Sequence, residues 1–457
     1  MGSGIAQVAA QAGASVKIFD VNPQALNSSE KQTRDGLAKL AARGKLANDQ
    51  LGEIQKRMTW VSSLSALEDS DLVIEAIIED VEIKGQLFEQ LESVVTPETI
   101  IATNTSSLPI SRLARRLKHP ERFVGMHFFN PATVMKLVEV IAGAATDPTV
   151  VAQIVATAQA WGKVAIPVAD VPGFIVNRVA RPFYAEAFTA LSEGAAEAGA
   201  IDALLRAAGF RMGPLELTDL IGQDVNFAVA RSVFESYFGR TRFVPQLRQA
   251  ALVDAGWLGR KTGRGIYDYV EGPDSKAPTY VVPTPTDEHR QLASKLVDAR
   301  PGELLPCADI LIGKTRGLTA RTESNKCGRP VALLDWFSID AEGPVGFATS
   351  NPSASDVAAK ILAAMSRPAQ PIADRPGLVV TRTLGQLANS AGDAVFEQVA
   401  DEEGIDAAMR YGANYPFGLF AWADRFGRTA LVETLDAIAT ETGEALYRPS
   451  QYLRNWA

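Results

Sequence analysis

Residues 122–141 read RFVGMHFFNPATVMKLVEVI. Residues 123–129 are a short apolar run, Asn130-Pro131 breaks it with turn chemistry, and residues 135–141 resume a second run. This is the pattern of two short buried strands joined by a turn. Strands reversing there bring His127 and Glu139 to face each other. In an α/β sheet the strand ends collect ligand-binding and catalytic groups. A carboxylate on one imidazole nitrogen fixes the tautomer and raises the basicity of the other. His127 is therefore a candidate base and Glu139 its orienter. The spacing fits equally well a histidine satisfied in a core beside an unrelated surface glutamate.

The 457 residues, 47% hydrophobic and 21% charged, are enough for sizeable cores and for about three domains. A net charge of −8, with Lys and Arg scattered, provides no basic surface for a polyanion, so nucleic acid is not an expected partner. The two cysteines, Cys307 and Cys327, form no CxxC and have no histidine nearby, so neither a metal site nor a disulfide framework is indicated. A reducing cytoplasm is the expected compartment. No apolar run approaches eighteen residues and no signal-peptide pattern opens the chain, so no membrane association is expected.

The chain opens MGSGIAQVAAQAG, helical in pattern, turns at Gly13, and continues as a strand ending at Asp20. In a Rossmann unit a strand precedes that helix, with G-x-G-x-x-G at the crossing and the pyrophosphate on the helix N-terminus. That first strand is missing from the sequence. Gly2 falls at the third fingerprint glycine and Gly4 at a close-packing position. Asp20, eighteen residues after Gly2, sits near the spacing of an acid bonding the ribose 2′-OH, which argues NAD over NADP. The expectation is that this start lies inside a longer reading frame; a cloning scar, or a relative that manages without the strand, are the alternatives. Upstream DNA encoding an apolar strand and Gly-x-Gly supports the expectation, and a stop codon directly before Met1 ends it.

Residues 23–58 predict two protruding helices, 71–79 a buried strand and 81–94 a helix carrying Lys84. Residues 100–108 predict a strand ending in a hydroxyl-rich loop with Asn104, Ser106 and Ser107, the last capping a helix from Pro109. Pro172-Gly173 marks a boundary before a helix starting at Phe174 with Asn177 on its first turn. Alanine-rich helical sequence follows to about residue 269, a type of unit that dimerises. Residues 271–306 are expected to be a linker, and residues 309–366 a small α/β unit without a glycine fingerprint. Residues 374–382 (DRPGLVVTR) repeat residues 170–178 (DVPGFIVNR) at an offset of 204, as Ile405-Asp406 repeats Ile201-Asp202. The duplication puts Thr381 where Asn177 stands.

The strings HFFNP and MKLVEVI, taken in order with Asp20, Glu79, Ser106, Asn130, Asn177 and Lys261, resemble the signature of the 3-hydroxyacyl-CoA dehydrogenases across nearly the whole chain. The resemblance implies an α/β Rossmann-type doubly wound sheet at 1–168, lacking its first strand. It also implies an all-α, 6-phosphogluconate-dehydrogenase-like C-terminal domain at 169–270, with a second copy at 373–457 after the linker and small α/β unit at 271–372. Catalysis would fall to His127, Glu139, Ser106 and Asn177, with Ser106 and Asn177 on the substrate's 3-oxygen. NAD would meet Gly2, Gly4, Asp20, Glu79, Lys84, Ser106, Asn130 and Lys261. The acyl-CoA thioester would also meet the helical arm, where the family has a serine and a lysine. Here Gly36 and Arg43 stand at those positions, leaving Arg43, the substrate-binding candidate, or Lys45 to meet a phosphate of coenzyme A; a solvated charged face fits these residues equally well. The long duplicated form ending YRPSQYLR resembles the branch acting on 3-hydroxyadipyl-CoA in phenylacetate degradation, with 3-hydroxybutyryl-CoA the alternative substrate and a non-catalytic acyl-CoA-binding protein the alternative of another class. The second copy is expected to be structural, giving a monomer with a duplicated domain or a homo-oligomer. Glu139→Gln is expected to be milder than His127→Gln.

Overall fold

The run DLVIEAIIE at residues 71–79, expected to be one buried strand, forms a strand only at Leu72–Glu75, with Leu72 to Ile74 half-buried and Ile77 and Ile78 exposed. The computed structural model describes residues 1–270, 278, 280, 282–339 and 341–456. Its contacts divide them into two units, 1–176 with 398–413, and 177–397 with 414–457.

In the first unit β1 (Val16–Phe19) and β2 (Met58–Val61) pair in parallel as a two-stranded sheet. A five-stranded sheet follows in sequence order, β3 (Leu72–Glu75), β4 (Ile100–Thr103), β5 (Phe123–Phe128), β6 (Leu137–Ala142) and β7 (Val164–Ala169). All neighbours are parallel except β5 and β6. In a doubly wound sheet one strand lies between the places held by β1 and β3; no strand of the described residues occupies it. The near-continuous apolar runs of β4 to β6 are explained by burial on both faces. Gly125 is required where it stands, because a Cβ there would lie 2.8 Å from both Ile110 and Ile141. The two helices expected in residues 23–58 are Pro23–Ala42 and Asn48–Lys56, joined by Gly44 at φ +67°.

The linear segments bounded at 168, 270 and 372 cut across these units. The helix Glu402–Gly412, from the second copy, packs on β6 and β7, with Val399 O accepting from Ala169 N and Gly404 facing Ile166.

The expected linker needs correction: of residues 271–306, residues 271–277, 279 and 281 lie outside the described residues, and the described ones contain a helix, Asp287–Asp298, and a strand. Thr286 and His289 form a capping box, and Leu292, Ala293 and Leu296 are buried along one helical face. Charged residues between those positions hid the period. The strands of this region, β8 (Leu304–Cys307), β9 (Ile310–Lys314), β10 (Val331–Leu334), β11 (Val345–Thr349) and β12 (Ala369–Pro371), form a second five-stranded sheet.

β9 to β12 reproduce β4 to β7: parallel, antiparallel, parallel. Asp170 accepts from the N–H groups of Ile110 and Ser111 at the start of one helix, and Asp374 accepts from those of Ala320 and Arg321 at the start of its counterpart. The duplication therefore begins in the sheet, well before Asp374.

Within the second unit the helices Arg181–Ser192 and Val380–Phe396 pack together. Arg178 pairs with Glu397 at 2.7 Å and Arg382 with Glu193 at 3.2 Å. Both arginines and both glutamates are 204 residues apart. Reciprocal pairs of this kind mark an isologous, two-fold contact, here made inside one chain.

Leu384, Leu387, Ala388 and Ala391 of Val380–Phe396 are fully buried, and each leucine contributes roughly 1.5–3 kcal/mol by leaving water. Ending the chain after residue 373 removes Val380–Phe396 and is expected to uncover the face of Arg181–Ser192 packed on it, giving dimers or aggregates by size-exclusion chromatography. A soluble, fully active monomer of that length would show that the second copy is dispensable.

Candidate active site

His127 and Glu139 are directly opposed in the antiparallel pairing of β5 and β6. Nδ1 of His127 lies 2.7 Å from Oε2 of Glu139, and both side chains are buried. A carboxylate at Nδ1 makes that nitrogen the N–H donor, leaving the Nε2 lone pair to accept a proton. The other carboxylate oxygen, Oε1, accepts from the backbone N–H groups of Ile175 and Val176 at 2.9 and 3.1 Å. Glu139 is thus held from both sides, at a strand and at a helix N-terminus. Phe129 and Phe174 flank the imidazole, with ring centroids 4.6 and 5.8 Å away.

After β4, Glu79 organises the hydroxyl-rich loop. Its Oε1 accepts from Thr105 Oγ1, from Ser106 N at 2.9 Å and Oγ at 3.3 Å, and from Ser107 N and Oγ. Burial pushes the Glu79 carboxyl up, yet these hydrogen bonds and the Lys84 charge outweigh it and hold the group below its ordinary pKa. Two expectations change here. Ser107 spends its hydroxyl on Glu79 and does not cap the helix Ile110–Ala114, which Asp170 caps instead. Lys84, expected beside the dinucleotide, is 1% exposed and donates to Glu75 at 2.6 Å, with Glu79 at 3.3 Å; its ammonium serves an interior ion pair.

Asn104, half-buried, accepts from Phe128 N at 2.8 Å and so ties the end of β4 to the end of β5. Asn130 is exposed after β5, and Asp20 is exposed after β1 with Asn22 N donating to it. Arg43 caps the C-terminus of its helix and is exposed. In the second unit, Asn177 is half-buried in the short helix Val176–Val179, two residues later than the helix start expected at Phe174. Lys261 is paired with Asp224 at 2.5 Å.

The second sheet holds a counterpart of each catalytic position. Leu334 pairs with Phe347, so Asp335 stands opposite Gly346 at the places of His127 and Glu139. The string DWF at residues 335–337 matches HFF at 127–129, and TRGLTAR at 315–321 matches TSSLPIS at 105–111, with Arg316 for Ser106. A Cβ on Gly346 would lie 3.3 Å from that of Asp335. In the space left by the missing side chain, Asp335 accepts from the N–H groups of Val379, Val380 and Thr381 and from the Thr381 hydroxyl. One carboxylate does the capping that Glu139 does in the first copy, with no imidazole beside it.

Residues 1–171 match the family model described as 3-hydroxyacyl-CoA dehydrogenase, NAD binding domain, and residues 173–269 and 377–457 match the one described as its C-terminal domain. The chain belongs to the 3-hydroxyacyl-CoA dehydrogenase family. The 3-hydroxyadipyl-CoA dehydrogenase of Escherichia coli (strain K12) is 41% identical to it, the alignment covering 100% of this chain and 95% of the relative. A probable 3-hydroxybutyryl-CoA dehydrogenase of Bacillus subtilis (strain 168) is 43% identical over 59% of this chain and 94% of its own. Among solved structures, the crystal structure of 3-hydroxybutyryl-CoA dehydrogenase from E. coli K12 superposes with a TM-score of 0.91 at 40% identity, covering 100% of this chain and 95% of that one.

This dehydrogenase uses NAD, and its residues fit that cofactor. The helix Gly2–Gln11 has no side-chain cap on its first N–H groups, leaving donors for a phosphate. A Cβ on Gly2 would meet only Ala76, at 3.8 Å, and one on Gly4 would touch Ala132 at an ordinary 3.4 Å.

His127→Gln in the dehydrogenase is expected to lower kcat about 10²–10⁴-fold in an NADH assay while leaving the fold intact. Glu139→Gln is expected to be as severe, not milder. With its oxygen committed to Ile175 and Val176, a glutamine must turn its NH₂ toward Nδ1 and so favour the tautomer with the proton on Nε2. Near-native turnover in either variant would remove the dyad from the mechanism. Thr381→Ala, which takes the hydroxyl's hydrogen bond from the buried Asp335 carboxylate and the acceptor from Trp336 N, is expected to cost about 1–3 kcal/mol in denaturant unfolding without changing turnover.

Proposed function

We propose that the substrate is (3S)-3-hydroxyadipyl-CoA, oxidised to the 3-oxo thioester during cytoplasmic degradation of phenylacetate. The observation supporting this is the 41% identity to the E. coli 3-hydroxyadipyl-CoA dehydrogenase along the entire chain, second copy included. The 3-hydroxybutyryl-CoA reading is favoured by the full-length structural match of that name.

In this proposal the Nε2 lone pair of His127 removes the hydroxyl proton, and Glu139 stabilises the imidazolium that forms. Ser106 and Asn177 donate to the 3-oxygen and hold the C3–H in line. Gly2, Gly4, Asp20 and Asn130 hold NAD, and Lys261 reaches it once released from Asp224. Bound NAD supplies the acceptor for the hydride leaving C3. Arg43 meets a phosphate of coenzyme A.

Initial rates of NADH formation with 3-hydroxybutyryl-, 3-hydroxyhexanoyl- and 3-hydroxyadipyl-CoA test this, with kcat/KM expected to be highest for the dicarboxylic thioester. A higher value for 3-hydroxybutyryl-CoA would move the assignment to the second reading. Activity on none, with acyl-CoA still bound, would favour a binding protein.

A further inference from the structure

Buried charges in proteins are paired or fully hydrogen-bonded, because an isolated one costs several kcal/mol. The second unit follows this rule at Arg178, Arg375 and Arg382, each beside a glutamate, and at Arg367, whose guanidinium donates to backbone carbonyls including Gly343 O at 2.7 Å. Arg181 does not follow it. It is 9% exposed, no carboxylate pairs with it among the described residues, and its Nε has no hydrogen-bond partner. Its guanidinium carbon lies 5.0 Å from the centre of the Tyr184 ring. Tyr415, also charge-coupled to it, buries a hydroxyl with no partner. Burial pulls the guanidinium below its ordinary pKa, and only these two phenols oppose that. A cavity of about 20 Å³, room for about one water, is bordered by Arg181, Tyr184, Asn226 and Gln249, so a carboxylate reaching the guanidinium has to displace that water and shift these side chains.

We infer that Arg181 is a specificity residue that binds a carboxylate at the far end of the acyl chain. This rests on the proposed reading of 3-hydroxyadipyl-CoA as substrate, in which Asn177 meets the 3-oxygen. Arg181 is four residues beyond Asn177, with Ala180 between them at helical φ −75°, ψ −9°. Residues four apart on helical backbone share a face about one turn, roughly 5.4 Å, apart. In the six-carbon chain three carbon–carbon bonds of about 1.5 Å separate C3 from the carboxylate carbon, a span of about 4 Å, which with the carboxylate oxygens approaches one turn. A guanidinium is the group suited to a carboxylate, since its planar fork gives two parallel hydrogen bonds, and a phenol beside it can donate a third. The second copy supports the link between the two positions: 204 residues on, Asn177 is replaced by Thr381 and Arg181 by Gly385. The helical pair as such does not need the arginine.

The test compares kcat/KM for 3-hydroxyadipyl-CoA and 3-hydroxyhexanoyl-CoA, equal in carbon number but ending in a methyl, for the wild type, Arg181→Met and Arg181→Lys. The wild type is expected to prefer the dicarboxylic thioester. In Arg181→Met the ratio should fall about 10- to 100-fold, the loss of a charge-assisted contact, mainly through KM. Arg181→Lys, which keeps the charge and loses the fork, should fall between. Wild type without any preference overturns the substrate reading and this inference with it. A wild-type preference that persists in Arg181→Met leaves the substrate reading standing and overturns the role of Arg181. Should the methionine variant fail to fold, an unaltered ratio in Arg181→Lys overturns that role equally.

Discussion

The Glu139 carboxylate holds three pieces of chain in one arrangement. One oxygen receives the Nδ1 proton of His127 from the neighbouring strand, and the other receives two backbone N–H groups at the start of the Val176–Val179 helix. A carboxylate can do both because it is acceptor-only on both oxygens. The same contact that terminates a helix therefore sets the imidazole tautomer, so a fold requirement and a chemical requirement meet in one side chain. The antiparallel pairing of β5 with β6 makes this possible, by placing the two residues opposite each other on adjacent strands.

The second sheet shows what remains when the chemistry is removed. Its helix still needs an acceptor at the N-terminus, and Asp335, shorter by one methylene and reaching across the gap left by Gly346, provides it. Burial pushes the Asp335 carboxyl above its ordinary range, with the hydrogen bonds from Thr381, Val380 and Val379 opposing this. The capping function was kept and the base was lost, which separates the two roles that Glu139 combines. Reciprocal Arg–Glu pairs around the two long helices then give the duplicated half its place as a partner for the first.

Much of this was legible in the sequence because it rests on local patterns. The apolar runs around Asn130-Pro131 predict two opposed strands, and the repeated D-x-P-G motif predicts two matching helix starts. Other features depend on what side chains meet across the fold. Nothing local shows that Lys84 turns inward to Glu75, that Glu79 gathers the 105–107 loop, or that Asp170 caps the helix after Pro109. The helix Asp287–Asp298 was hidden by its charged face and by the proline-rich sequence before it. The repeat of β4 to β7 was hidden because only backbone pairing and a few residues survive, such as the TxxL of residues 105–108 and 315–318. The unpaired state of Arg181 is likewise a property of its surroundings, invisible in the string RPFYAEA.

The central claim is that Glu139 fixes the His127 tautomer, holding a proton on Nδ1 so that Nε2 is the nitrogen that acts as base. Long-range ¹H–¹⁵N correlation NMR of imidazole-labelled protein measures this directly, and with only three histidines in the chain, His119, His127 and His289, the spectrum is sparse enough to assign by comparison with His127→Gln. The expected result for the neutral ring is one histidine with a protonated Nδ1 and a bare Nε2, its signals absent from the variant. A His127 found with its proton on Nε2 would contradict the account.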